Sequence, residues 1–357
     1  MNTSARLQVC MHLLIFLFLA TVSVSAEEFA AASIKTREVA NTFPVGDNDN
    51  ISIDNCYGNV TVTHWNRNEI EIRVVIEAKA NTDRRAEELL DHVSIDLHKF
   101  SDTVYGITSL SRFSGNRNNE RLAINYFISK PSGVKPAIKL RYGNVNLPPE
   151  NDAQTRLEVK YGNVNGGNFT RDLKIDCAYG DIDLGNLNAA TLELAYCGQV
   201  KIGNSKQLDM ESRYSNGQLK DVEQLNMEIS YGNFDLGNMG QMNIEAEYSN
   251  IKVKRLEKRL FMEIDYGTAN IDEVSESMSE IKAECSYANL NLKMPSDMAF
   301  DVVAEDMKYG NYNIGKNFNV STTKDGSGYR SRINNGSASH KIYFKGNGYS
   351  NLSIKPL

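Results

Sequence analysis

A single motif constrains this chain more than any other feature: Tyr-Gly-Asn followed by alternating apolar residues, complete in Tyr142-Gly143-Asn144-Val145-Asn146-Leu147. Intact or degenerate copies stand at Tyr57, Tyr142, Tyr161, Tyr179, Tyr196, Tyr214, Tyr231, Tyr248, Tyr266, Tyr287, Tyr309 and Tyr349. From Tyr142 to Tyr266 they recur every 17 to 19 residues. A fixed period of that size marks a solenoid, in which each repeat buries its apolar face only by stacking on its neighbours. The period overrides the prior of about two domains that a length of 357 residues would carry.

Positions six, four and two before each tyrosine are mostly apolar, as in Leu173, Ile175, Cys177 before Tyr179 and Leu260, Met262, Ile264 before Tyr266. A period of two puts these side chains on one face, and by parity the tyrosine joins them on the inside or lines a corner. After the tyrosine the apolar positions change parity, as in Ile182, Leu184, Leu187 and Ile251, Val253, Leu256. A corner must therefore lie between, and Gly-Asn supplies it if Gly takes a positive φ and Asn tolerates the left-handed region. A second corner is expected at Gly185-Asn186 and Gly237-Asn238. Short strands, one inward face and corners at fixed offsets describe an all-β parallel β-helix-like solenoid. Ten rungs at about 4.8 Å make a rod of about 50 Å. A hairpin meander would instead repeat as pairs of unlike turns.

The chain opens with Arg6, the apolar run Leu13 to Ala20 and Val24-Ser25-Ala26, the pattern of a signal peptide over residues 1–26. Its run is too short to span a bilayer, and no later stretch approaches the roughly 20 apolar residues a span needs. An exported protein without a transmembrane segment is expected: periplasmic, on the outer-membrane surface or secreted. Losing Arg6 takes the formal net charge from -6 to -7, which argues against nucleic acid as a partner. Residues 27–65 hold a polar lead-in, read as loop to residue 50, and a first rung. Residues 66–134 form a β-rich insertion with one helix from Asp83 to His92 behind a Thr82 cap, and strands at 70–78, 93–97, 103–110 and 122–129. The solenoid is expected over 135–316, with cap strands over 317–357. Cys56, Cys177, Cys197 and Cys285 are expected as free thiols, mostly buried as small apolar side chains.

The Tyr-Gly-Asn-Val turns through residues 142–314, the outlying copy at Tyr57 with a helix-bearing insertion after it, and the export signal together resemble the bacterial putative-adhesin family of β-strand-repeat domains of unknown function. The likeness covers nearly the whole mature chain. It implies a β-repeat fold and export to the cell envelope, and it brings no catalytic residues.

Three columns run along the array. The structural ladder comprises Tyr142, Tyr161, Tyr179, Tyr231, Tyr248 and Tyr266 with Asn144, Asn163, Asn233 and Asn250: rings stack, and amides hydrogen-bond from rung to rung. An exposed aromatic strip for sugar rings is the alternative. Three before the tyrosine comes an outward acidic column, Glu158, Asp176, Glu193, Glu211, Glu228, Glu245, Glu263, Glu284 and Asp306. It reads first as a solvated face. The stretch of Glu228, Glu245, Glu247, Glu263 and Asp265 has no flanking base and is also a weak Ca²⁺ candidate. The ladder breaks once, at Cys197-Gly198-Gln199, with Gly217 on the next rung; a bulge or a recessed binding spot would account for it. His64, His92, His98 and His340 show no metal-ligand spacing, and no nucleophile motif or phosphate loop occurs. No catalytic residue and no cofactor follow. The expected role is a non-enzymatic, adhesin-like interaction or structural protein with a protein or glycan partner at the envelope. The alternatives are an envelope sensor or regulatory partner of a membrane signalling protein, and a polysaccharide-active β-helix enzyme.

Overall fold

The computed structural model describes residues 32–46, 49–111 and 120–357. The signal-peptide assignment lies outside them. The chain is a β-solenoid of parallel strands. Residues with the expected inward parity are buried, among them Leu173, Ile175, Cys177, Leu260, Met262 and Ile264 before the tyrosines and Ile182, Leu184, Ile251 and Val253 after them.

Each regular rung contributes to three parallel stacks. The strand before the tyrosine joins a first sheet, for example Leu173–Ala178 beside 190–195 and Thr155–Lys160. The strand after it joins a second, for example Ile182–Leu184 between Val164–Gly166 and Val200–Ile202. A short third stack passes through Phe169, Leu187, Ser205, Val222, Met239 and Leu256 before the chain turns back into the first sheet. The core lies inside these three walls. Between the second and third stacks is the second corner, where Asn168 Oδ1 accepts from the Asn186 amide at 2.8 Å and Asn186 Oδ1 from the Asn204 amide at 2.9 Å.

Both ends are closed by antiparallel strands. At the N-terminal end the insertion supplies one further parallel layer: 103–107 lies on Asn50–Asp54, and 126–130 on Val60–His64. Antiparallel pairing with Val93–Phe100 and Glu69–Ala80 then ends the stack. The helix is Asp83–Asp91, with Thr82 Oγ1 accepting from the Arg85 amide and Ala86, Leu89 and Leu90 buried. The lead-in departs from expectation: Ser33–Pro44 is a strand, paired antiparallel with Glu69–Ala80 along its whole length. Its backbone hydrogen bonds hold it in place, and its mostly polar residues give no apolar alternation to announce it.

The C-terminal end also departs from chain order. Lys341–Asn347 and Asn351–Pro356 insert between the rung of Tyr287 and that of Tyr309. The last rung in sequence is thus the penultimate one in space. Beyond it, Gly328–Ile333 and Val320–Asp325 finish the stack as an antiparallel pair.

Candidate functional site

The tyrosines do not face inward. Ten of them, Tyr57 to Tyr287, hold φ between 47° and 62°, and each is 45–52% exposed. The left-handed backbone turns the Cα–Cβ bond away from the core just where strand parity would have buried it. Their rings form one continuous external stack: nine successive pairs have centroids 4.8–5.3 Å apart and planes within 8° of parallel. A non-glycine residue in this backbone region costs about 1 kcal/mol or more, and offset stacking returns roughly 0.5–1.5 kcal/mol per pair. Each of the eight interior rings, Tyr142 to Tyr266, has both faces occupied by its neighbours. Only ring edges and hydroxyls reach solvent, so the ladder offers no flat platform for a sugar ring. The register ends at Tyr349, where Gly348 takes the positive φ instead and the rings tilt by 40–47°.

The stacking account predicts an inverted order of substitutions. Tyr231→Ala keeps the strained backbone and loses both ring contacts, whereas Tyr231→Gly loses the contacts but relieves the strain. Glycine is expected to be the milder change by about 1 kcal/mol, the reverse of its usual rank in a strand. Denaturant midpoints of the two variants check this, and the usual order would show that the tyrosine backbone is not strained.

The glycine after the tyrosine has a different task from the one its sequence suggests. It takes no positive φ; instead a Cβ on Gly162 would stand 1.7 Å from the carbonyl oxygen of Gly143, and one on Gly143 would stand 1.9 Å from that of Gly58. In other rungs this column holds Cys197, Ser215, Ser249, Ala288 and Ser350, whose small side chains are buried. Ser215 Oγ accepts from the Cys197 amide and donates to the Arg213 carbonyl, both at 2.9 Å.

The asparagines next along form a side-chain ladder. Asn59 Oδ1 accepts from the Asn144 amide and Asn144 Oδ1 from the Asn163 amide, each at 2.9 Å. Asn163 Oδ1 then accepts from the Asp181 amide and Asp181 Oδ1 from that of Gln199, each at 2.8 Å. Further on, Asn233 Nδ2 donates to Asn216 Oδ1 and Asn250 Nδ2 to Asn233 Oδ1, each at 3.0 Å. These amides are spent on their neighbours.

The acidic residues follow one another in strand register from Glu158 to Glu284, with bounds other than those expected. Lys139 precedes it and Lys345 follows it in strand register, with Nζ–carboxylate distances of 3.2 Å to both Glu158 and Glu284. Beyond Lys345 the column position belongs to Glu305, not Asp306, because Asp306 takes a positive φ and leaves the strand. Lys174 reaches Glu193 at 2.9 Å and Arg213 reaches Glu211 at 2.6 Å. Glu228, Glu245, Glu247, Glu263 and Asp265 have no ion pair among the described residues. Nor does any cluster of three or more His, Cys, Asp or Glu side chains among those residues converge on a point that could hold a metal. The five carboxylates are spread over three adjacent rungs without converging, so the cation candidate gains no geometric support. The face forms a shallow trough of about 640 Å³ around Glu193, Glu211, Glu228, Glu245 and Glu263.

The irregular rung is filled, not recessed. Val200 and Ile202 stay in register with Ile182 and Leu184, so the extra residue is absorbed as a bulge between Tyr196 and Gln199. Gly217 leaves room for the buried Phe234 ring, which a Cβ there would meet at 2.6 Å. All four described cysteines are free thiols; Cys197 Sγ lies 3.6 Å from the Cys177 carbonyl oxygen on the adjacent rung. Burial pushes the Cys285 thiol up to about 12.

A β-solenoid with this repeat defines a class of regular, strand-built rods. Residues 48–345 match the Toastrack DUF4097 family model, and the chain belongs to that family. It is similar to solved structures of putative adhesins from Parabacteroides distasonis (9% identity, TM-score 0.30, 90% of this chain and 97% of that one covered) and Parabacteroides merdae (11%, 0.29, 91% and 96%). It is also similar to a putative lipid binding protein from Parabacteroides distasonis (10%, 0.27, 90% and 96%). No protein of curated function matches it. No helix among the described residues is long and apolar enough to cross a membrane.

Proposed function

We infer that this chain is a non-enzymatic, exported β-solenoid acting as an adhesin-like interaction or structural element of the bacterial envelope, with a protein or glycan as partner. The observation that carries the reading is the outer face of the first sheet. There the trough around Glu228 adjoins a second shallow depression of about 790 Å³ around Lys135, Arg156 and Lys174, and Thr191 and Asp209 line both. Such a surface is long, open and graded in charge, suited to lying against an extended partner. Its carboxylates follow one another along the axis at rung spacing. Glycoside hydrolysis needs two of them facing each other across one bond, about 5–9.5 Å apart.

Binding of the intact rod to immobilised bacterial and host glycans, and pull-down from envelope fractions, test the reading. Saturable binding is expected, weakened severalfold by the combined Glu228→Gln, Glu245→Gln and Glu263→Gln substitutions and by added salt. Release of oligosaccharides from acidic polysaccharides in the presence of Ca²⁺ would establish an enzyme and overturn it.

A further inference from the structure

We propose that the tyrosine ridge is a self-association surface, joining two copies of this chain side by side and antiparallel, rung against rung. Three observations combine. The first is pitch: the ridge repeats at 4.8–5.3 Å over ten rungs, so a partner engaging all of it must repeat at the same spacing. Stacked β-strands do, at 4.7–4.9 Å, and a second copy of this chain does so over the same length. The second is area. Ten half-exposed rings leave roughly 100 Å² each, about 1,000 Å² per copy, against the roughly 800 Å² per partner of a standard interface.

The third is charge. A two-fold axis perpendicular to the rods keeps the column just before the tyrosines facing itself while reversing its direction. With all ten rungs overlapped, Tyr57 meets Tyr287 of the second copy and Tyr196 meets Tyr214. Arg141 then faces Asp265 and Lys160 faces Glu247, and the symmetry makes four such pairs. Ala178 and Ser230 face each other nearer the centre. Sliding by one rung in either direction loses one pair of each two. A parallel arrangement would set this column against the Asn ladder, which carries little charge. The charges are available: Arg141 lies 3.7 Å from Asp54 and Lys160 3.8 Å from Glu158, both loose exposed contacts, and Glu247 and Asp265 have no ion pair among the described residues. Arg213, near the two-fold axis, is already held by Glu211 at 2.6 Å. The outward acidic column lies farther round the first sheet, away from the ridge.

Sedimentation equilibrium of the exported chain over a range reaching about 100 μM is expected to show a dimer. Glu247→Lys with Asp265→Lys should weaken it by at least about tenfold, and Arg141→Glu with Lys160→Glu should do the same, because each makes all four pairs repulsive. Mixing the two variants should restore a heterodimer in which every pair is attractive. Thermal melts of the separate variants confirm that each still folds. A chain that stays monomeric throughout, or a dimer indifferent to both charge reversals, overturns the proposal.

Discussion

Gly162→Ala is expected to destabilise the solenoid by about 3 kcal/mol or more, among the largest effects of any single methyl group in the chain. The added Cβ would lie 1.7 Å from the Gly143 carbonyl oxygen and 2.6 Å from its carbonyl carbon. Neither atom belongs to a flexible side chain. To make room, two rungs must separate locally, which lengthens the hydrogen bonds that Tyr142 and Val145 donate to Lys160 and Asn163, both now 2.9 Å. Gly46→Ala serves as the control, since its Cβ would meet nothing nearer than Asp49 Oδ1 at 4.0 Å. Denaturant midpoints of the two variants should differ severalfold in their shift from the parent. Equal midpoints would mean that this corner can reshape as it does at Ser215, where the same column carries a buried side chain.

The rung period and inward parity were legible because stacking forces every repeat to bury the same positions, and Leu173, Ile175 and Cys177 are where that pattern puts them. Strand parity failed at the tyrosine because parity assumes extended backbone, and a residue at φ near 57° breaks the alternation. The glycine was legible as special, but a close approach and a positive φ leave the same mark in a sequence. Placement of Lys341–Pro356 between the rungs of Tyr287 and Tyr309 was beyond local reading: a strand's pattern tells which way it faces and not which rung it lies beside. The opposition of Arg141 to Asp265 depends instead on where the regular ring stack ends, at Tyr287, beyond which the rings tilt by 40–47°. Ser33–Pro44 carries no such mark in the sequence, because an edge strand can be held by its backbone pairing with no apolar stripe.

Lys130→Met is expected to loosen the N-terminal cap, at a cost of about 2–3 kcal/mol. Lys130 is 2% exposed and ends the strand that covers the rung of Tyr57. Its Nζ donates to the carbonyls of Pro131, Ser132 and Val134 at 3.1, 3.3 and 2.8 Å, closing the turn through which the cap enters the first regular rung. A fourth contact, 3.2 Å from His64 Nε2, requires that nitrogen to be an unprotonated acceptor. Methionine fills the volume of the stem but removes the Nζ donor from the Ser132 and Val134 carbonyls and leaves Pro131 with only the Val134 amide, at 3.3 Å. Burial holds the ammonium down to about 8, and burial together with the Lys130 charge holds His64 down to about 4. An unfolded His64 would titrate near 6.5, so between pH 6.5 and 4 the unfolded chain binds more protons. His64 therefore subtracts stability progressively as pH falls through that window, by roughly 2 kcal/mol once its partial exposure is allowed for. His64→Gln keeps an acceptor toward Lys130 and cannot titrate, so it should flatten the acid limb relative to the parent. Hydrogen exchange at pH 5 locates the effect: in the parent, residues 121–130 should open faster than residues 225–264, and His64→Gln should slow the first without touching the second. Equal acid sensitivity of parent and His64→Gln would show that carboxylates elsewhere set the limb and that this cluster holds the cap without sensing pH.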